Sequence, residues 1–285
     1  MAPVSEANLQ YPGERGAFVF FSVVNGLILV ATLLIVTNGA DWLSRHPFLE
    51  KRAPQLKAVA VAAIIAIPAR VLLRNVRRLR VIGSSVRVSP LQFPEIYSIL
   101  VGHCRRLGMD PPELYLSAEA TKDSCRAFST HTCHYVVLGT TFLQPELAPV
   151  HDTLSFELAR ELGRIRVGHT AWWNELLIAY VLKVPYLRNP LMHFRHFTYD
   201  RYGAYLAPEG LLGLTGHATG RLLLRCLDVE PYLRDLNESR GVWMQLASLT
   251  QETPPLAVRV RKLYAAGLFD VRNDLKRLKK EPLHA

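Results

Sequence analysis

The sequence predicts an α+β chain, mainly helical, with a small antiparallel sheet and one or two transmembrane helices in front. Three observations predict it. Residues 18–37 form an apolar run of about 20 residues, the length that crosses a bilayer core. A second apolar run, 58–73, leads into Arg70, Arg74, Arg77, Arg78 and Arg80. Beyond residue 90, amphipathic helical segments alternate with three short strand-like stretches.

Residues 1–17 are polar and lack the basic start of a signal peptide, so they read as a cytosolic N-terminal tail. Residues 18–80 form the membrane anchor with its basic flank. Asn25 and Gly26 lie midway along the first helix, where small and polar residues suit helix packing. The second run is interrupted by Pro68 and Arg70, yet Arg70 can snorkel to the headgroups, which favours a second span. The five arginines obey the positive-inside rule, so the C-terminal domain is expected in the cytosol. They also suit membrane lipids of negative charge.

A domain over 81–270 follows. Residues 93–107 read as a helix with Phe93, Ile96, Tyr97, Leu100 and Val101 on one face, stopped at Gly108. Strands are expected over 113–117, 126–130 and 135–140, the last two joined tightly across His131, Cys133 and His134. Asp152 or Thr153 would cap a central helix. After His169, Trp172 and Trp173 open a short apolar segment that is either a core helix or one lying on the membrane, core being the commoner outcome. Pro185 and Pro190 break it, and a helix over 193–206 carries His196 and Asp200. Further helices are expected over 211–227 and from Pro255 to about residue 266, then a basic tail over 271–285.

Net charge is +10 and 49% of residues are apolar. The positive charge clusters beside the anchor and no nucleic-acid motif accompanies it, so nucleic acid is excluded as a partner. The 4 cysteines have no metal or disulfide-scaffold spacing, which fits reduced thiols. Ser124 and Cys125 lack the surroundings of a catalytic nucleophile.

The chemistry concentrates in residues 156–169. Leu158, Leu162 and Ile165 make one apolar face, and Arg160, Glu161 and Arg164 lie opposite. That spacing is the geometry of an H-E-x-x-H zinc helix, with both histidine positions held by arginine. In order along the chain, the segment from Ser84 to Glu95, then Pro112 to Tyr115, Arg126-Ala127-Phe128, Tyr135 to Leu138 and Glu161-Leu162-Gly163 resemble the HtpX-like membrane-anchored zinc metallopeptidases, kin of the CAAX prenyl peptidases. The resemblance covers about residues 80–267 and implies a zincin-like, HtpX-type domain in a bacterial cytoplasmic membrane. It implies further that His196 stands at the third-ligand position, where the family has glutamate, with Asp200 retained beside it. It makes Glu161 the family's general base, here vestigial.

Arginine offers donors and no lone pair, so Arg160 and Arg164 remove ligands and repel a dication. The resemblance therefore implies a pseudopeptidase without a cofactor. In it, Arg160 and Arg164 would face Asp200, with Glu161 between them and Glu157 nearby, in an ion network replacing the metal. The blander alternative is a solvated charged face with pairs along one helix. Arg126, Ala127, Phe128 and Ser129 would hold an extended peptide, or a segment of another membrane protein, by strand addition. The rival expectation is an active zinc endopeptidase with a rearranged ligand set, using His193, His196 and His169 or Glu161, and acting on membrane or misfolded proteins.

Overall fold

The computed structural model describes residues 9–44, 51–118, 125–130, 133–140, 150–212, 231 and 248–268. The elements are α1 (Glu14–Ser44), α2 (Ala53–Gly83), β1 (Val86–Arg87), α3 (Pro94–Leu107), β2 (Glu113–Ser117), β3 (Cys125–Ser129), β4 (His134–Gly139) and α4 (Val150–Arg166). Then follow α5 (Trp172–Leu177), a 3-10 turn (Val181–Lys183), α6 (Pro185–Leu206), a second 3-10 turn (Pro208–Leu212) and α7 (Leu256–Ala265).

Both apolar runs extend into helices of 31 residues, longer than the hydrophobic stretches alone. Both are long and apolar enough to cross a membrane. Val19, Phe20, Leu27 and Leu33 on α1, with Val59, Ile65 and Leu72 on α2, are exposed, a broad apolar surface for a polypeptide in water. The two helices lie against one another. Pro68 sits inside α2 without ending it. Asn25 reaches the segment after α5, accepting a hydrogen bond from the Tyr180 amide at 2.7 Å. Residues 9–13, expected in a free tail, instead pack on the domain: Leu9 is fully buried and Tyr11 stands against Phe194 and Phe197.

The sheet has the order β1-β2-β4-β3. It is mixed rather than antiparallel: β2 pairs β4 in parallel, and β1–β2 and β3–β4 are antiparallel. The β3–β4 hairpin folds back so that β4 lies between β2 and β3, antiparallel to β3 and parallel to β2. The Thr130 amide donates to the Cys133 carbonyl at 2.9 Å across the hairpin's end. Val136 and Leu138, fully buried, lie at the centre with Leu114 and Leu116 beside them. Leu158 and Leu162 of α4 join this core, each side chain contributing about 1.5–3 kcal/mol by burial.

Several local expectations change. Phe93 is not on the buried face of α3; it precedes the helix in a left-handed conformation (φ 64) and is 41% exposed. Asp152 lies inside the first turn of α4, where its charge suits the helix dipole, rather than capping it. Pro185 starts α6 and Pro190 is inside it, so neither breaks the helix; first-turn amides need no intrahelical acceptor, and Pro190 forfeits one bond. Trp172, Trp173, Leu176 and Leu177 of α5 are exposed, whereas Ile178 and Val181 just beyond are buried against Phe21 of α1. The short segment is thus divided, its tryptophan end outside the core. Of the helix expected over 211–227, only residues 211–212 are described, as part of a 3-10 turn; the basic tail 271–285 lies outside the described residues.

Candidate functional site

The site forms where α4, α6 and α7 meet under the edge of the sheet. α4 and α6 approach closely because of two glycines. A Cβ on Gly203 would stand 2.7 Å from the Phe156 ring and 2.8 Å from Arg160 Cγ, and one on Gly163 would collide with Tyr202. That approach brings the charged face of α4 onto Asp200 of α6.

Asp200 is the hub. Arg259 of α7 grips its carboxylate in a two-pronged fork, Nε to Oδ2 and Nη2 to Oδ1, both 2.7 Å. Arg160 Nε lies 3.0 Å from Oδ1 as an ion pair without hydrogen-bond alignment, and Arg160 Nη1 donates to both Glu157 oxygens at 3.0 and 2.8 Å. All four groups are buried, so this is not a solvated face. Burial works to raise the Asp200 carboxyl, but Arg259 and then Arg160 outweigh it and hold it below the usual carboxylate range. Arg160 is pressed downward by burial and held above its ordinary value by Glu157, Asp200 and Glu161.

The expected network is half present. Arg160 faces Asp200, but Arg164 does not. Arg164 pairs with Glu161 at 3.2 Å and lies over the Tyr199 ring, 5.1 Å from its centroid. Glu161 in turn accepts the Ala127 amide of β3 at 2.5 Å. The Glu161 side chain is thus spent on an arginine and on the backbone of an edge strand. Arg259 was missed in the sequence, although it shares a helical face with Leu256 and Leu263, and a charge among core positions calls for a buried partner.

The other metal candidates do not converge. His196 is half-buried with its Nδ1 shielded and unpartnered, and desolvation followed by Arg160 and Arg259 keeps it well below the ordinary histidine value, hence neutral. His193 turns away to the Gln251 carbonyl, 2.9 Å. His169 is taken by Glu14 at 2.6 Å and by the Tyr199 hydroxyl at 3.1 Å. Among the described residues, no three His, Cys, Asp or Glu side chains group as a metal site. Arg160, Arg259 and Arg164 act on His196, and the one carboxylate that does so, Asp200, is already held by two arginines, so the donor set does not fit zinc. His134 Nδ1 meets the Ser129 hydroxyl at 2.5 Å, which fits a hairpin link. Cys125 is buried and its thiol is pushed well up, first by burial and then by Glu161, which makes it a poor nucleophile.

β3 is one of the two edge strands, opposite β1, and it carries Arg126, Ala127, Phe128 and Ser129. Arg126 is exposed, while Phe128 is buried and stacks on Tyr135. The basic flank divides: Arg70, itself exposed, and the half-buried Arg74 and Arg78 line a cavity, whereas the exposed Arg77 and Arg80 do not.

Among known proteins, the chain is similar to the "Plastoglobule-localized metallopeptidase 48, chloroplastic" of Arabidopsis thaliana, 24% identical over 237 residues. The match covers 81% of this chain, and the chain spans 58% of that relative's length. No family model matches the chain, and no solved structure does. The relative supports a metallopeptidase-like scaffold.

Proposed function

We propose that this chain is a membrane-anchored HtpX-like pseudopeptidase, a peptide- or protein-binding scaffold in which an ion lattice stands where the family holds zinc. The carrying observation is the Arg160–Asp200–Arg259 lattice. Two guanidinium groups converge on Asp200, one of them also held by Glu157, and a dication there would meet like charge on two sides. The lattice can hold α4, α6 and α7 together as a metal would, though a buried ion network is no proof of net stabilisation. α1 and α2 would span the membrane, and the exposed tryptophans of α5 would lie at its interface.

Binding would use β3. The Ala127 amide points away from β4, so the amides of Cys125 and Ser129 share that outward direction by the two-residue alternation. An extended segment could pair there, with Glu161 occupying the central amide in place of catalysis. The test is capture of a labelled extended-peptide library by the full-length chain in nanodiscs. Peptides should be retained uncleaved, and Ser129→Pro should weaken retention several-fold relative to Ser129→Ala, which loses the hydroxyl but keeps the amide. Cleavage of the captured peptides, or equal capture by both variants, would discard the reading.

The rival is a working zinc endopeptidase. Its support is the relative's name and the shielded, unpartnered Nδ1 of His196. Against it stand Arg160 and Arg164, neither of which can ligate, and the commitment of Glu161 to the Ala127 amide.

A further inference from the structure

A cavity of about 320 Å³ opens between α2, β3, the α5 region and α6. Its walls are of two kinds. Ile67, Val71, Leu182 and Met192 give an apolar side, continuous with the apolar run of α2. The charged side is mostly cationic, with Glu175 and Glu252 among the cations, so the positive charge is only partly answered. Arg74 and Arg78 share Glu175, and Arg188 pairs with Glu252 at 3.4 Å. Among the described residues, Arg70, Arg126 and Lys183 form no ion pair.

Arg195 is the most telling member. It is 5% exposed, lines the cavity and has no carboxylate partner among the described residues. Its Nη2 donates to the neutral amide oxygen of Asn174 at 2.5 Å, and its Nε has no hydrogen-bond partner. Burial and nearby Arg164 hold its pKa below the ordinary guanidinium value, although Tyr199 and Glu14 oppose them. Buried cations without counter-charge are costly, and an anion entering the cavity relieves that cost.

Arg70, Arg74 and Arg78 recur every four residues, so they lie on one face of α2 just as its apolar run ends. Arg77 and Arg80 point elsewhere. A surface that merely followed the positive-inside rule has no need of such a division, or of a buried arginine opposite.

We propose that this cavity binds the phosphate of an anionic membrane lipid, with the acyl chains leaving along the apolar wall of α2. Arginine forks suit phosphate oxygens in two-pronged contact, and Lys183 adds a point charge at the rim. The inference rests on the membrane anchoring proposed above and is independent of whether the neighbouring lattice holds metal or β3 captures peptide.

The experiment uses the full-length chain in neutral detergent, with bound lipid read by native mass spectrometry and thermal shift. The probes are dioleoyl phosphatidic acid, dioleoyl phosphatidylcholine and inorganic phosphate. Replacing Arg195 endangers its contact with Asn174, so the exposed pair Arg126→Gln with Lys183→Gln carries the test, and Arg77→Gln with Arg80→Gln is the control. Phosphatidic acid should bind in preference to phosphatidylcholine. Affinity should fall about tenfold for each cation removed from the cavity and stay unchanged in the control. Equal losses in both double variants would mean diffuse surface charge and overturn the site. Inorganic phosphate stabilising as well as the lipid would overturn the lipid as its ligand in favour of a soluble phosphate. No preference for phosphatidic acid would overturn it outright. Zinc content and peptide capture, measured on the same samples, show separately whether the scaffold reading fails.

Discussion

Two clusters of arginine lie one helical turn apart on α4 and behave in opposite ways. Around Arg160, guanidinium groups meet carboxylates inside the protein: Arg160 has Glu157 and Asp200, and Arg259 has Asp200. Around Arg164 the balance tips, because that side chain turns to the wall of a cavity where Arg195, Arg126 and Lys183 have no carboxylate among the described residues. The difference teaches that two arginines one turn apart on a single helix can have different surroundings, a buried lattice for Arg160 and a cavity wall for Arg164. Arg164 is itself answered by Glu161; the cations left without a carboxylate are its neighbours along the cavity wall.

The sharpest way to break this comparison is at its hub. Asp200→Ala leaves Arg160 and Arg259 buried without their shared carboxylate, and should lower unfolding free energy by about 3–5 kcal/mol in chemical denaturation. A change near zero would mean that the lattice holds nothing. Next, Gly203→Ala forces a methyl group into Phe156 and Arg160 and should cost about 1–3 kcal/mol, while phosphatidic acid binding at the cavity survives. Loss of both together would make the two regions one unit.

Glu161→Gln weakens the bond to the Ala127 amide and the pair with Arg164, so about 1–2 kcal/mol should be lost in thermal or urea melts. In a working peptidase the same change would abolish turnover and leave stability nearly intact.

The smallest effect is acid lability. His103, held near the Ser155 hydroxyl at 2.9 Å, is lowered to about 4 by burial and then by Arg106, and His196 is lowered too. Both are neutral when folded and protonate when unfolded. Their contribution is therefore full above the unfolded value of about 6.5 and is lost progressively as pH falls toward the folded value. Below about 3.9 the depressed Asp200 adds a further loss as pH falls through its folded value. A melting temperature that declines from pH 7 to pH 4, less steeply in His103→Gln, is the expected result. A flat profile would place these histidines in water.

Much of this was legible in the sequence because it is periodic. The apolar runs announced α1 and α2, and the face of Leu158, Leu162 and Ile165 announced α4 with Arg160, Glu161 and Arg164 opposite it. Asp200 was reached only through the resemblance, whose third-ligand segment matches residues 196–200. What escaped depends on contacts between distant segments. Arg259 reaches Asp200 across a separation of 59 residues, and no local pattern names that partner. Glu14, at the start of α1, reaches His169 in the same way. Strand direction was also hidden: three strand-like stretches do not say that β4 inserts between β2 and β3. The tilt of Arg164 away from Asp200 follows from the crossing of α4 and α6 at Gly163 and Gly203, a tertiary fact.

The central claim is that arginine has taken the place of metal. The most direct measurement is elemental mass spectrometry of the full-length chain, tag removed, after incubation with zinc and dialysis. The account predicts far less than one zinc per chain, and no change on His196→Ala. Near-stoichiometric zinc that disappears on His196→Ala would contradict it and restore the zinc endopeptidase.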